Sequence, residues 1–548
     1  MKSTMMDRPL LLHGFLERAG RLFPDVALVS RAPDRSLRRH DYRRLVERAK
    51  RLGGALARAG LRKGDRVATL LWNHHVHMEA YFGVPVPGGV THTLNPRLSP
   101  DELVYIATHA GDRFLIVDDV LLEVARPLLA RAEIERVIVV RWTDAPLPEG
   151  SADYERFIAE GSPDTAFAPA EEGDAIGMCY SSGTTGKPKG VVYSHRSTVL
   201  HALASALPDA ANISHRDTVM PVVPMFHVNA WGLPYAAVMT GAKLVLPGPH
   251  LDPESLLELM EQERVTLAAG VPTVWLGVLQ ALDATPGRWK LQPGLRLIIG
   301  GSAAPEAMIR AFDRHGIEVV HAWGMTEMSP LGTLNFVKRE LEDADENTRY
   351  RYRALQGLPL PVVEMRIMAS EGEAPWDGRS MGELQVRGPC VTREYYARPD
   401  AGDAFTEDGW FRTGDVASIT PEGYLKITDR LKDLVRSGGE WISSVDLENA
   451  LMGHPGVAEA AVVAVPHPRW GERPLALVVR RPGSRVSEEE LRAHLAAQFA
   501  KWWLPDLFLF VEEIPRTSTG KFMKRALRER YGSMTWEQLA ALAKEERS

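Results

Sequence analysis

Two hydrophobic periods alternate along this chain. Apolar residues spaced three and four apart predict helices over 10–23, 42–59, 121–132, 195–207, 253–261 and 305–315. Short apolar runs predict buried strands at 67–71, 114–117, 137–140, 219–224, 243–246, 297–299 and 319–320. Ser99, Pro100 and Glu102 fit the N-cap, N1 and N3 positions of a further helix. This interleaving predicts an α/β domain. Residues 141–173, rich in Pro, Gly, Asp and Glu, read as connecting surface, and the charged stretch 338–352 reads as a solvated helix or excursion. After Pro359 the pattern shortens to strand-like pieces with glycine turns, at 363–367, 382–386 and 423–427, which predicts a smaller β-rich subdomain. The charged run from Asp429 to Asp433 marks a boundary. Beyond it a helix (445–452), two strands (457–465 and 475–480) and a helix over 487–499, capped by Ser487 and Glu490, predict an α+β domain of about 110 residues. The expected division is 1–428, a linker at 429–433, and 434–548. The fold class is a large α/β N-terminal domain with a β-rich subdomain, plus a small α+β C-terminal domain.

Composition narrows the function. A chain of 548 residues exceeds one ordinary core, and 45% apolar with 25% charged residues is the balance of a soluble globular protein. A net charge of -6 gives no reason to expect a nucleic-acid partner. Two cysteines, Cys179 and Cys390, exclude a disulfide framework and indicate a reducing compartment. Cys179 reads as a small buried hydrophobe in preference to a nucleophile. Asp7, Arg8 and His13 interrupt the N-terminus, so no signal segment is expected. The stretch 219–242 has no Lys, Arg, Asp or Glu, yet it holds His227, Asn229 and three prolines. It reads as a buried core segment lining a cavity, not as a membrane span. The expected location is cytoplasmic, with peripheral attachment to a membrane left open.

The chemistry centres on residues 180–190. Three glycines, four Ser/Thr hydroxyls and two lysines fall within eleven positions there. Glycine admits close backbone approach, and clustered amides, hydroxyls and cations suit phosphate oxygens. The Walker spacing fails: two residues, not four, separate Gly183 from Gly186, and Pro188 follows Lys187. Glu327 follows His321, Ala322, Trp323, Gly324, Met325 and Thr326, just after a strand expected to end at Val320. Ligands of open α/β sheets gather at such strand ends. A carboxylate beside phosphate groups suits Mg²⁺, and Trp323 is able to stack on a base. Asp415, after Thr413 and Gly414, is placed to accept from ribose hydroxyls with Arg430 as a second contact, although a turn cap explains it equally well. Lys521, after Gly520, reads as a loop amine for a phosphate or carboxylate, or as a solvent lysine.

Taken in order, these motifs resemble the acyl-adenylate-forming (AMP-binding) superfamily, which includes acyl-CoA synthetases, adenylation domains and beetle luciferase. They are most similar to bacterial medium- and long-chain fatty-acyl-CoA synthetases, over residues 10–527. The resemblance implies an ATP-dependent acid–thiol ligase. A fatty acid is activated as acyl-AMP with pyrophosphate release, then transferred to coenzyme A. ATP and coenzyme A are the implied co-substrates, Mg²⁺ the cofactor and a homodimer the assembly. Nucleotide contacts fall on Ser181, Thr184, Thr185, Gly186, Ala322, Trp323, Gly324, Thr326, Asp415 and Arg430. Catalytic roles fall on Thr184, Lys189 and Lys521, and Mg²⁺ on Thr184 and Glu327. Lys432 matches a hinge about which a mobile C-terminal domain turns. Gly438, Gly439 and Trp441 match the coenzyme A channel. His227, Trp231, Gly301 and Ser302 match an acyl tunnel with Trp231 as its gate. Trp323 departs from the tyrosine common at its position. Three alternatives stand beside this reading: a ligase loading a carrier-protein thiol, one for short-chain or thioether carboxylates, and a non-catalytic lipid-binding or scaffold protein.

Overall fold

The structure is a computed structural model that describes residues 1, 3–181, 187–438, 440–516 and 522–545. Four sheets organise them. The largest has nine strands, in the order Leu358–Pro359, Leu331–Leu334, Glu318–Gly324, Arg296–Ile299, Leu267–Gly270, Thr218–Pro221, Lys243–Leu246, Ala27–Arg31 and Leu37–Asp41. Its six central strands are parallel, and its edges turn antiparallel. Helices Pro253–Glu263, Pro272–Ala284 and Glu306–Arg314 cover one face, burying Leu256, Trp275 and Phe312 in a common core.

The second sheet has seven strands: Ala152–Asp153, Arg136–Val140, Asp112–Asp118, Arg66–Leu70, Val90–Thr93, Ala175–Tyr180 and Gly190–Ser194. Successive side chains on a strand face opposite ways. Val67 thus joins one core with Phe114 and Ile116, while Ala68 and Leu70 join another with Leu115 and Val117. Burial on both faces explains why these strands read as continuous apolar runs. A five-stranded antiparallel sheet, built from Gly372–Glu373, Glu364–Ala369, Gly382–Arg387, Phe411–Ile419 and Leu425–Arg430, is the expected β-rich subdomain. The last sheet joins Glu440–Ile442, Val435–Ser437, Gly471–Arg480, Val457–His467 and Leu507–Phe510. Helices Ser444–Met452 and Glu488–Ala496 pack on it through Leu447, Leu451, Leu491 and Leu495.

Both expected capping boxes form, Ser99 with Glu102 and Ser487 with Glu490. The uncharged stretch is buried, and only Pro224, His227, Met239 and Thr240 within it are partly exposed. Among the described residues no helix is long and apolar enough to cross a membrane. Two expectations need correction. Residues 141–173 are not all connecting surface: helix Tyr154–Ala159 buries Tyr154, Phe157 and Ile158, an apolar triplet masked by its acidic neighbours. The strand expected to stop at Val320 runs to Gly324, because antiparallel pairing of Ala322 with Leu334 and Trp323 with Thr333 satisfies its backbone.

Candidate active site

Strands Ala175–Tyr180 and Gly190–Ser194 form a hairpin in which Tyr180 faces Gly190. The Ser181 amide donates to the Lys189 carbonyl at 2.9 Å, closing the base of the loop. Ser182, Gly183, Thr184, Thr185 and Gly186, its tip, lie outside the described residues. Lys189 places its Nζ 4.6 Å from the centre of the Tyr395 ring. The Tyr395 hydroxyl donates to Glu327 Oε1 at 2.7 Å. Glu327 is only 5% exposed. Its carbonyl accepts from the Thr392 amide, and the neighbouring Thr326 carbonyl accepts from the Tyr193 hydroxyl, each at 2.7 Å. Lys189 and the Glu327 carboxylate thus meet on one tyrosine, the ammonium over its ring and the carboxylate at its hydroxyl. Tyr395 takes only Oε1 of Glu327, and a carboxylate oxygen is the kind of donor that suits a hard cation such as Mg²⁺.

The second half is built on Asp415, which is 2% exposed. Antiparallel pairing sets Asp415 directly opposite Arg430, whose Nε donates to Oδ1 at 2.6 Å. Trp323 Nε1 donates to Oδ2 at 3.0 Å. The tryptophan in place of tyrosine therefore brings an N–H that ties the two motifs together. Its ring lies on bare backbone: a Cβ at Gly332 would sit 2.7 Å from Trp323 Cζ3. Tyr193, Thr392 and Tyr395 escaped the sequence reading. Tyr395 had one available signal, an aromatic pair entering the Arg398–Pro399 turn, but nothing in the pattern aims it at Glu327.

The apolar half joins the same strand. Val228, Asn229, Ala230 and Trp231 all take left-handed φ, from 39° to 57°, and Gly232 follows at 75°. Such values are outliers for residues with a Cβ, and for Val and Trp above all. Surrounding contacts hold the segment. Asn73 accepts from the Met225 amide at 2.7 Å and donates to the Val223 carbonyl at 3.0 Å. The Thr93 hydroxyl donates to the Phe226 carbonyl at 3.2 Å, and Tyr81 donates to the Met225 carbonyl. Trp231 is 6% exposed and lies over Gly300, where a Cβ would come within 3.2 Å of its Cη2 and 3.5 Å of the Ala322 Cβ. His227 is half-buried, whereas Gly301 and Ser302 are exposed. His321 fixes the turn after them. It accepts from the Ala304 amide at Nε2 and donates from Nδ1 to the Ala354 carbonyl, and burial holds its pKa down at about 4. Cys179 hydrogen-bonds Thr93, and burial raises its thiol to about 11, so it is no thiolate.

In the charged run expected to mark a boundary, Arg430 ends its strand, and Lys432 follows in a turn. Burial, aided by Arg430, Arg528 and Arg525, lowers the Lys432 pKa to about 8. Asp429 accepts from the Ser444 amide at 2.8 Å, and Arg528 pairs with Asp433. Ser437 pairs with Glu440 in the hairpin that contains Gly438, whose amide donates to the Trp470 carbonyl at 2.9 Å. Exposed Trp441 lies 4.7 Å beneath the Arg436 guanidinium, a cation–π pair. Gly439 and Lys521 lie outside the described residues, although a bridge from Arg516 to Phe522 closes the base of the Lys521 loop. The structure thus joins Lys189 to Glu327 through Tyr395, Trp323 and Arg430 to Asp415, and sets Trp231 and Ala322 on either flank of Gly300.

Residues 16–396 match the model of the AMP-binding enzyme family, and residues 446–521 match that of the AMP-binding enzyme C-terminal domain. The chain is 54% identical over 532 residues to a long-chain-fatty-acid–CoA ligase of Thermus thermophilus, covering 96% of this chain and 97% of that one. It is 44% identical over 541 residues to a medium-chain-fatty-acid–CoA ligase of Ectopseudomonas oleovorans, covering 97% and 98%. The crystal structure of ATP-bound MatB from Rhodopseudomonas palustris superposes with a TM-score of 0.80 at 27% identity, covering 96% of this chain and 99% of that one.

Proposed function

The chain belongs to the AMP-binding enzyme family, and from that premise we propose that it is an AMP-forming ligase joining a medium- or long-chain fatty acid to coenzyme A. In the first half-reaction a carboxylate oxygen attacks the α-phosphorus of ATP and pyrophosphate leaves. In the second the coenzyme A thiol attacks the acyl carbon, the thioester forms and AMP leaves. The observation that carries this reading is the joining of Lys189, Tyr395 and Glu327 to the Trp323–Asp415–Arg430 group through one strand-and-turn segment. Full-length similarity to two fatty-acid–CoA ligases supports the acid and the thiol.

Asp415 and Arg430 orient the ribose, and Trp323 carries the base. Lys189 and Thr184 hold phosphate oxygens, with Ser181, Thr185, Gly186 and Thr326 around them. Lys521 bridges carboxylate and α-phosphate, stabilising charge that develops in the transition state. Glu327 and Thr184 would hold Mg²⁺, which when bound supplies neutralisation of phosphate charge. Trp231, His227, Gly301 and Ser302 receive the acid. Lys432 is the hinge between the two half-reactions, and Gly438, Gly439 and Trp441 line the thiol's path. We assign a homodimer on the resemblance alone; light scattering checks it. Neither mechanism step needs a covalent acyl-enzyme, consistent with the unreactive Cys179. The deciding experiment supplies a graded panel of carboxylates with ATP and either coenzyme A or a phosphopantetheinylated carrier protein, and measures AMP and thioester. Equal AMP and acyl-CoA, strongest for medium or long chains, is expected. AMP without a coenzyme A thioester, or no response to any fatty acid, overturns the reading.

A further inference from the structure

One buried polar cluster has no part in this chemistry. It lies at the seam between the two largest sheets. His40 sits on strand Leu37–Asp41, the edge of the nine-stranded sheet. His75 and Glu79 sit on helix His75–Gly83, the crossover between parallel strands Arg66–Leu70 and Val90–Thr93 of the seven-stranded sheet. Residues four apart on a helix share a face, so His75 and Glu79 stand side by side. One donor atom from each of His40, His75 and Glu79 lies within 4.8 Å of the other two. The two imidazole centroids are 4.1 Å apart. His75 is 8% exposed, Glu79 is fully buried, and His75 Nδ1 has no hydrogen-bond partner among the described residues. An unpartnered buried nitrogen costs about 1–3 kcal/mol, and a ligand would relieve it. His40 is only half-buried and gives that ligand a way in.

Two imidazoles and a carboxylate form a zinc donor set, with water as the usual fourth ligand. We propose that His40, His75 and Glu79 bind one Zn²⁺ ion that clips the edge strand of the larger sheet to the crossover helix of the smaller one. Beside the cluster the seam is already registered by a bond from the His75 amide to Ser30 Oγ at 2.9 Å. Zinc bonds of about 2.0–2.2 Å require donors about 3–3.5 Å apart, so the side chains close inward as the ion enters.

The surrounding charges decide how tightly it is held. Arg48 is the main opposing cation, and its Nε donates to Glu79 Oε1 at 2.7 Å. Glu155 takes both terminal nitrogens of Arg48, at 2.8 and 2.7 Å, and balances that charge. Tyr154 donates to Glu79 Oε2 at 2.7 Å, and each oxygen retains a lone pair. Arg44 and Asp41 also face His40, with opposite signs, and His74 beside His75 is paired with Asp118.

The test uses the full chain, stripped with chelator and free of nucleotide, so that no phosphate competes. Co²⁺ and Zn²⁺ are titrated into the wild type, His75→Ala and His40→Gln, followed by visible absorption, calorimetry and thermal melting. The expected result is one Co²⁺ per chain with low-symmetry d–d bands, at least tenfold weaker binding in each variant, and a zinc-induced rise in Tm in the wild type only. If His75→Ala does not fold, His40→Gln on the half-exposed edge strand decides. A wild type that takes up no metal overturns the proposal. So does an unchanged cobalt spectrum and affinity in His40→Gln, which would put the ion elsewhere.

Discussion

Trp323→Phe deletes one N–H and keeps most of an aromatic ring. In the structure that N–H donates at 3.0 Å to Asp415, a carboxylate that is 2% exposed. Hydrogen bonds to charged groups contribute about 1.5–3 kcal/mol. Asp415 keeps Arg430 at 2.6 Å on its other oxygen, so it stays held on one side but gains freedom to swing about that pair. The lower end of the range, about 1.5 kcal/mol, is therefore appropriate, and it corresponds to roughly tenfold in affinity. If Asp415 binds the ribose, the loss depends on ribose hydroxyls. The assay is calorimetric binding of AMP and of 2′,3′-dideoxy-AMP to wild type and Trp323→Phe. AMP should weaken about tenfold, whereas the dideoxy nucleotide, which offers Asp415 nothing, should weaken no more than about threefold through the smaller stacking ring. Equal losses for both nucleotides would refute the reasoning and leave the indole a base platform only.

Four other outcomes are expected. Tyr395→Phe, which frees Glu327 Oε1, should raise the Mg²⁺ concentration for half-maximal pyrophosphate exchange about tenfold, by loss of one charge-assisted bond; an unchanged Mg²⁺ dependence rejects it. Lys521→Ala should cut acyl-AMP formation at least a hundredfold and leave thioester formation from supplied acyl-AMP within tenfold, since only the first step brings a carboxylate onto the α-phosphorus, where this amine would bridge the two; equal losses in both halves contradict the assignment. Lys432→Pro, by fixing φ, should impair the thioester half several-fold more than adenylation, and normal transfer from supplied acyl-AMP in a folded variant removes the hinge. Acid should destabilise the chain between pH 6.5 and 4: His201 and His321 stay neutral in the folded state to about 4, so the unfolded state binds more protons in that window and stability falls with pH. Thermal melts at pH 7, 5.5 and 4 check this, and a flat Tm over that range counts against it.

Much of the architecture is legible because burial on both faces writes strands as apolar runs, as at 114–117 and 137–140. Strand Leu267–Gly270 was missed because Ala and Gly carry too little apolar signal. Helix His75–Gly83 was missed because it is buried on every side and so shows no amphipathic period. In the site, motif residues such as Asp415 and Glu327 stand out through their glycine and threonine neighbours. Their partnerships do not. The link from Trp323 to Asp415 spans 92 positions and that from Tyr395 to Glu327 spans 68, and only a sheet's register brings such positions together. The glycine-rich segment 180–190 shows the reverse: it is explicit in sequence, and the structure adds the hairpin at its base.

The left-handed run from Val228 to Trp231 sets two demands against each other. Each Cβ-bearing residue held there costs roughly 1–2 kcal/mol, which the rest of the fold must offset. Replacing Val228, Asn229 or Ala230 by glycine would return part of that free energy, because glycine takes the left-handed φ without strain, but it would also loosen the backbone that presses the Trp231 ring onto Gly300. Selection for heat resistance and selection for the shape of this pocket therefore pull the same three codons in opposite directions.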